Sequence, residues 1–126
     1  MTHTILLIED NEQNRYLTTF LLTQHGYQVI EAIDGPVGIN LAYDLANQST
    51  LDLILLDIQL PGMDGYAVAK ALRNFECLKV TPIVAVTSYA MVGDREKSLE
   101  AGCNGYIEKP INPDTFVSEI QRFLTH

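Results

Sequence analysis

The stretch Leu53-Ile54-Leu55-Leu56-Asp57 ends four apolar residues with an acidic one, and the turn-forming run Pro61-Gly62-Met63-Asp64-Gly65 follows shortly afterwards. A short apolar run bounded by turn residues predicts a buried strand. A carboxylate at the end of such a strand is energetically costly unless the site needs it. Asp57 is therefore the first candidate for a functional residue.

Three other apolar runs also end in polar or charged residues. Ile5-Leu6-Leu7-Ile8 leads into Glu9-Asp10, Ile83-Val84-Ala85-Val86 into Thr87, and Tyr106-Ile107-Glu108 into Lys109. If the strands are parallel, their carboxyl ends gather carboxylates, a hydroxyl and an ammonium at one edge of the sheet. This set suits a phosphorylated carboxylate held with a divalent cation.

Strand-like and helix-like patterns alternate along the whole chain, which predicts an α/β fold of the (βα)5 type. Strands separated by helices pair in parallel, and continuous apolar runs fit a sheet covered on both faces. The predicted strands are 4–9, 27–32 (at a sheet edge), 52–57, 82–87 and 105–108; the predicted helices are 12–24, 36–47, 65–74, 93–101 and 113–124.

Residues spaced three to four apart, most of them apolar, predict the packing stripes of three helices. The stripes are Tyr16, Leu17, Phe20, Leu21 and Gln24 in 12–24, Val37, Leu41 and Leu45 in 36–47, and Phe116, Val117, Ile120, Phe123 and Leu124 in 113–124.

The composition bounds the class of protein. The 126 residues suffice for one domain with a proper core, and the net charge of −8 without a basic stripe argues against direct nucleic-acid binding. The apolar run at the N-terminus is too short for a signal peptide or membrane insertion. Cys77 and Cys103 lack metal-site spacing, and reduced thiols indicate a cytoplasmic protein.

Four segments together resemble the motif set of two-component response-regulator receiver domains, in order and over essentially the whole chain. They are Ile8-Glu9-Asp10-Asn11, Leu56-Asp57-Ile58-Gln59-Leu60-Pro61-Gly62-Met63-Asp64-Gly65, Val86-Thr87-Ser88 and Ala101-Gly102-Cys103-Asn104-Gly105-Tyr106-Ile107-Glu108-Lys109-Pro110. The resemblance implies a flavodoxin-like, doubly wound parallel sheet in the order 2-1-3-4-5. It also implies one receiver domain over 1–126 without an effector domain, similar to single-domain regulators and receivers of hybrid histidine kinases.

The resemblance implies a role for each residue of the acidic edge. Asp57 is the phosphoacceptor, and Asp10, Asp57 and the Gln59 backbone carbonyl are ligands of Mg²⁺, with Mn²⁺ as an alternative and Glu9 acting through a water. Lys109 pairs with a phosphoryl oxygen, and its bond to Pro110 is implied to be cis. The chemistry agrees, since crowded carboxylates repel one another and a hard cation relieves that repulsion.

Thr87 and Tyr106 are implied to form a switch. Phosphorylation adds negative charge and acceptor oxygens, so Thr87 moves toward them, the loop Ser88-Tyr89-Ala90-Met91 follows, and Tyr106 turns inward. The changed surface over the fourth helix, fifth strand and fifth helix then signals to a protein target, or the domain serves in a relay. A histidine kinase or histidine phosphotransfer protein supplies the phosphoryl group, and Asn11, Asn14 and Thr18 are candidate contacts for it.

Other interpretations stay open at this point. Glu9 and Asp10 also suit a helix N-terminus, Thr87 an ordinary strand, and Tyr106 plain core packing. A phosphatase of the haloacid dehalogenase type would use an Asp-x-Asp pair, but Asp57-Ile58-Gln59 offers no second acid. A phosphorylation-independent receiver-like binding module would usually have lost one of the acids or the lysine. We therefore expect a phosphoacceptor signalling domain rather than an enzyme with turnover.

Overall fold

The computed structural model describes residues 2–88 and 93–124, within which five strands alternate with five α-helices. The strands are β1 (Thr4–Ile8), β2 (Gln28–Ala32), β3 (Leu53–Asp57), β4 (Ile83–Thr87) and β5 (Gly105–Glu108). The helices are α1 (Glu12–Gln24), α2 (Gly35–Asn47), α3 (Gly65–Arg73), α4 (Asp94–Glu100) and α5 (Phe116–Leu124). A short 3₁₀-helix, Glu76–Leu78, was not predicted from the sequence.

The strands form one parallel sheet in the order β2-β1-β3-β4-β5. The predicted α/β class, strand order and edge position of β2 are thus confirmed. Every residue of β1, β3 and β4 is buried, as expected where helices cover both faces of a sheet. The register pairs Ile8 with Leu56 and Asp57 with Val86, so the carboxyl ends of these central strands lie side by side.

Alternate residues of each central strand pack on opposite faces of the sheet. On one face the strand residues pack with α1 and α5, in a cluster that includes Ile5, Leu7, Leu53, Leu55, Leu22, Phe116 and Ile120. On the other face they pack with α2 and α3, in a cluster that includes Leu6, Ile8, Ile54, Leu56, Ala42, Val68 and Leu72. Each fully buried leucine or isoleucine contributes about 1.5–3 kcal/mol relative to an exposed one.

The predicted packing stripe of α1 is wrong in part. Tyr16, Leu17 and Phe20 are 73, 37 and 47% exposed, whereas the buried residues of the helix are Thr18 and Leu22. Three-to-four spacing shows which residues share a side of a helix, but the choice of inward side depends on the sheet beneath. Here Leu22 joins the buried cluster and Leu21 lies partly buried against it, so the aromatic residues Tyr16 and Phe20 stack on each other at the surface.

Two further helices differ from their predicted stripes or bounds. In α2 the fully buried residues are Gly35, Gly38 and Ala42; of the predicted stripe, Leu41 and Leu45 pack partly buried against the core, but Val37 is exposed. A Cβ at Gly38 would lie 2.5 Å from Cδ1 and 2.7 Å from Cγ1 of the buried Ile8, so a larger residue there would force this side chain to shift. Helix α5 begins three residues later than predicted, since the Asn112 side chain first accepts a hydrogen bond from the Asp114 backbone N–H at 2.9 Å and forms a turn.

Candidate functional site

A polar cleft of about 630 Å³ opens at the carboxyl edge of the sheet. It lies where loops leave the ends of the neighbouring strands, as predicted for an open parallel sheet. The residues that line it are Glu9, Asp10, Asn11, Asn14, Asp57, Gln59, Ser88, Lys109 and Pro110. The structure therefore brings together five of the residues singled out from the sequence: Glu9, Asp10, Asp57, Gln59 and Lys109.

Three carboxylates meet in this cleft. One oxygen from each of Glu9, Asp10 and Asp57 lies within 4.8 Å of the others. Glu9 and Asp57 are each 3% exposed, whereas Asp10 is exposed. Backbone amides fix the two buried groups: Asn11 N–H donates to Glu9 Oε2 at 3.1 Å, and Gln59 N–H donates to Asp57 Oδ1 at 3.0 Å.

Lys109 is the cation at the buried side of this cluster. Its Nζ atom lies 3.0 Å from Glu9 Oε1 and 3.3 Å from Asp57 Oδ1. Its backbone N–H donates to the Thr87 carbonyl at 2.8 Å, which fixes the lysine to the end of β4. The Lys109–Pro110 peptide bond is cis, as the motif resemblance implied.

The charges in the cleft do not balance. Burial, together with the hydrogen bond and negative charge of Asp57, raises the pKa of Glu9 from 4.5 to about 7, although Lys109 opposes the rise. For Lys109, burial alone would lower the pKa, but the hydrogen bond with Glu9 and the charges of Asp57 and Glu9 outweigh it and raise the pKa. The positive charge of Lys109 therefore offsets the negative charges of the three acids only in part.

The donor set fits a hard divalent cation. Mg²⁺ takes a few carboxylate oxygens and keeps several waters, and an exposed carboxylate beside two buried ones in an open cleft provides that combination. Gln59 lines the cleft between Asp57 and Ser88, so its backbone is adjacent to the acids. Among residues 2–88 and 93–124, no histidine or cysteine lines the cleft, which disfavours softer metals.

Thr87 and Tyr106 do not line the acidic cleft. Thr87 is 1% exposed at the end of β4, directly before Ser88 on the cleft wall. Tyr106 is half-buried on β5 and lines a separate cavity of about 410 Å³, together with residues of α4 and α5 such as Leu99 and Phe123. The predicted movement of Tyr89-Ala90-Met91 falls outside the described residues.

The predicted polar face of α1 needs correction. Thr18 is buried, so its side chain is not available as a contact for a phosphodonor protein. Asn11 and Asn14 do line the cleft, and the Asn11 side chain caps α1 by accepting a hydrogen bond from Asn14 N–H at 2.9 Å.

Two contacts around the cleft were missed from the sequence. The Ser88 hydroxyl donates to Gln59 Oε1 at 2.6 Å and joins the loops that follow β3 and β4. The Arg15 guanidinium donates to the backbone carbonyls of Glu9 and Asp10 at 3.1 and 3.2 Å. Neither contact follows from spacing, since each depends on the path of a loop and on a side-chain rotamer. The sequence did contain one signal that α1 starts beside the acids: Asn11, which directly follows them, is a residue type that favours the N-cap of a helix.

Fold and cleft together define a receiver domain, and comparison with known proteins agrees. Residues 5–121 match the response regulator receiver domain family, and the chain belongs to this family. Receiver domains are signalling domains of two-component systems; in general they bind Mg²⁺ and act with histidine kinases or phosphotransfer proteins.

Particular relatives are similar along their whole length. The chain is 41% identical to the polar-differentiation response regulator DivK of Brucella ovis and 40% identical to that of Brucella anthropi, over 98% of each chain. The chemotaxis response regulator CheY4 of Vibrio cholerae superposes with a TM-score of 0.90 at 28% identity, over 98% of this chain and 100% of that one.

A further solved structure bears on the metal. The receiver domain of a sensor histidine kinase from Pseudomonas aeruginosa PAO1 is 35% identical with a TM-score of 0.85, and each chain is covered completely. That structure has a magnesium ion coordinated in its active-site cleft.

Among the helices that the structure of the present chain describes, none is both long and apolar enough to cross a membrane.

Proposed function

We propose that this protein accepts a phosphoryl group on Asp57, from a histidine kinase or a histidine phosphotransfer protein, in a Mg²⁺-dependent reaction. The observation that carries the proposal is the Asp57 carboxylate at the end of a central strand, beside two further acids and 3.3 Å from the Lys109 ammonium. Asp57 accepts one hydrogen bond, from the Gln59 backbone N–H, and Asn11 caps α1, so neither a turn nor a helix cap explains why three acids lie together beside Lys109.

The transfer forms a bond between a carboxylate oxygen of Asp57 and phosphorus and breaks the bond between phosphorus and the donor histidine nitrogen. The imidazole leaves with the electron pair and takes a proton. Gln59 N–H holds Asp57 Oδ1 at 3.0 Å, which orients the carboxylate. Lys109 then pairs with an oxygen of the transferred group and stabilises charge as it builds.

Asp10, Asp57 and the backbone carbonyl of Gln59 would hold Mg²⁺, or Mn²⁺ in its place, and Glu9 would act through a bound water. The ion supplies positive charge beside the phosphoryl oxygens. The raised pKa of Glu9, caused first by burial and then by Asp57, supports this ligand set, because Lys109 offsets the acids only in part and a divalent cation would supply further positive charge.

We propose that Thr87 and Tyr106 carry the signal. The Thr87 carbonyl accepts a hydrogen bond from the Lys109 N–H. A change in the position of Lys109 in the acidic cleft would therefore act directly on the end of β4. Tyr106 borders a cavity of about 410 Å³ between β5 and the neighbouring helices, which gives its ring room to change position. The result is a population shift between two packings of the surface formed by α4, β5 and α5.

The output is then contact with a downstream protein or onward transfer in a phosphorelay. The family match and the fold span nearly all of 1–126, which supports a single receiver domain over this range. A net charge of −8 supports protein partners rather than nucleic acid. The protein would act in the cytoplasm, as a phosphoacceptor without turnover of an external substrate.

Loading with acetyl phosphate tests the proposal. With Mg²⁺ the wild type should gain one phosphoryl group by intact-mass spectrometry, and chelation of the metal should prevent it. Asp57→Asn should gain none, while the matched control Asp44→Asn, on the exposed side of α2, should load as the wild type does. A full phosphoryl adduct on Asp57→Asn would refute the assignment of Asp57 as the phosphoacceptor. Continuous release of phosphate without an adduct would instead favour a phosphatase, and no reaction would favour a binding module.

A further inference from the structure

Arg15 lies directly behind the acidic loop that joins β1 to α1. One of its guanidinium nitrogens donates to the carbonyls of both Glu9 and Asp10, at 3.1 and 3.2 Å. The side chain is mostly buried, with 18% of its surface exposed. A planar, always charged guanidinium that is held in place can fix two carbonyls at once.

These two bonds determine the direction of the peptide planes in the acidic loop. In a trans peptide the carbonyl and the following N–H point in opposite directions. With the Glu9 and Asp10 carbonyls turned toward Arg15, the N–H groups of Asp10 and Asn11 point the other way. The Asn11 N–H indeed donates to Glu9 Oε2 at 3.1 Å, on the side of the cleft.

On the side away from the acids, the Arg15 guanidinium is held by an ion pair with Glu31. Its Nε atom lies 3.7 Å from Glu31 Oε1, at the end of β2, and the other Glu31 oxygen accepts from the Thr19 hydroxyl at 2.6 Å. Arg15 and Thr19 are one helical turn apart on α1, so Glu31 connects that helix to the edge strand. Arg15 is thus constrained on the side away from the acids.

We infer that Arg15 is a positioning residue that holds the Asp10 carboxylate, through its backbone, where it can take part in Mg²⁺ binding. Asp10 is exposed and is the member of the acid cluster with most freedom to move. Removal of a group that orients a metal ligand typically costs about 10–100-fold in metal affinity. The inference rests on the metal site of the proposed function.

The sign of the effect separates positioning from simple electrostatics. Arg15 brings a positive charge close to the acids, so removing it should tighten binding of a cation if charge alone matters. If Arg15 orients the loop, removing it should weaken binding although the cleft becomes more negative. The two explanations therefore predict opposite changes of the same dissociation constant.

The experiment is a titration with MgCl2, followed by the amide resonances of Asn14 and Gln59 in the wild type and in Arg15→Ala. We expect a dissociation constant at least tenfold larger in Arg15→Ala and an intermediate value in Arg15→Lys. In acetyl phosphate loading, the half-saturating Mg²⁺ concentration should rise by the same factor, while the rate at saturating Mg²⁺ stays near the wild-type rate. Arg95→Ala removes an exposed arginine of α4 and should change neither quantity by more than about twofold.

Equal or tighter Mg²⁺ binding by Arg15→Ala, beside normal binding by the wild type, would overturn this inference and leave the proposed function intact. Absence of Mg²⁺ binding by the wild type would overturn the metal site and the inference together. If Arg15→Ala does not fold, Arg15→Met, which keeps the aliphatic stem but has no donors, takes its place under the same criteria.

Discussion

Replacing Glu9 by glutamine should stabilise the metal-free protein at pH 8 but not at pH 4. Glu9 is buried among Asp57 and Lys109, and its pKa in the folded state is raised from 4.5 to about 7. Between these values the unfolded chain loses the Glu9 proton while the folded protein keeps it. The folded state therefore binds more protons, and the free energy of unfolding falls as the pH rises through this window. The glutamine variant lacks this fall.

The magnitude follows from the pKa difference. One pKa unit corresponds to about 1.4 kcal/mol, so the rise from 4.5 to about 7 amounts to at most about 3 kcal/mol. Glutamine resembles the protonated glutamate in shape and can still accept a hydrogen bond from Lys109. The free energy of unfolding of Glu9→Gln minus that of the wild type should therefore grow by up to about 3 kcal/mol from pH 4 to pH 8.

Urea unfolding of both proteins in the presence of a chelator, at several pH values between 4 and 8.5, measures this difference. Glu100→Gln, which alters an exposed glutamate of α4, serves as control and should differ from the wild type by less than about 0.5 kcal/mol throughout. A difference between Glu9→Gln and the wild type that does not change with pH would refute the reasoning, because the strain in the cleft would then not reside in the ionised form of Glu9.

Three further results are expected. Arg73→Met should lower the free energy of unfolding in urea by about 2–4 kcal/mol, because Arg73 donates to four backbone carbonyls and to the Asn104 side chain; a loss under 1 kcal/mol would contradict this. Asp10→Asn should raise the melting temperature of the metal-free protein and abolish the further rise with Mg²⁺; an unchanged Mg²⁺ response would exclude Asp10 as a ligand. Thr87→Ala should still be phosphorylated but lose the amide shift of Tyr106 on adding beryllofluoride; a full shift would disprove their coupling.

The fold could be predicted because its signals are local. Each central strand contains a continuous apolar run that ends in a polar residue or is followed directly by one, and the observed strand bounds lie within one residue of the predicted ones. Helix orientation was less predictable. Apolar and aromatic residues surround α1 on more than one side, so spacing alone could not choose between the side with Leu22 and the side with Tyr16 and Phe20.

The sequence predicted which residues meet in the cleft, but not the side-chain contacts that hold them there. Asp57, Lys109 and Glu9 each stand next to a strand end, so parallel pairing brings them together whatever the loops do. Their partners come from elsewhere in the chain. Arg15 reaches back over one helical turn, and Ser88, after β4, reaches Gln59, after the neighbouring strand β3. These contacts depend on loop paths and rotamers, about which hydrophobic spacing carries no information.

Lys109 connects the two parts of the proposed function, which are phosphoryl transfer to Asp57 and the switch that begins at Thr87. In the structure its ammonium is shared between Glu9 at 3.0 Å and Asp57 at 3.3 Å. If Asp57 is phosphorylated as proposed, it loses its carboxylate charge, and the nearest negative oxygens would then be those of the phosphoryl group. Lys109 can exchange one partner for the other with little movement, because Glu9 and the Thr87 carbonyl hold it at two other points. Under the proposed switch, a lysine held in this way would transmit the change of charge through its N–H to the Thr87 carbonyl, at the residue to which the proposal assigns the first step.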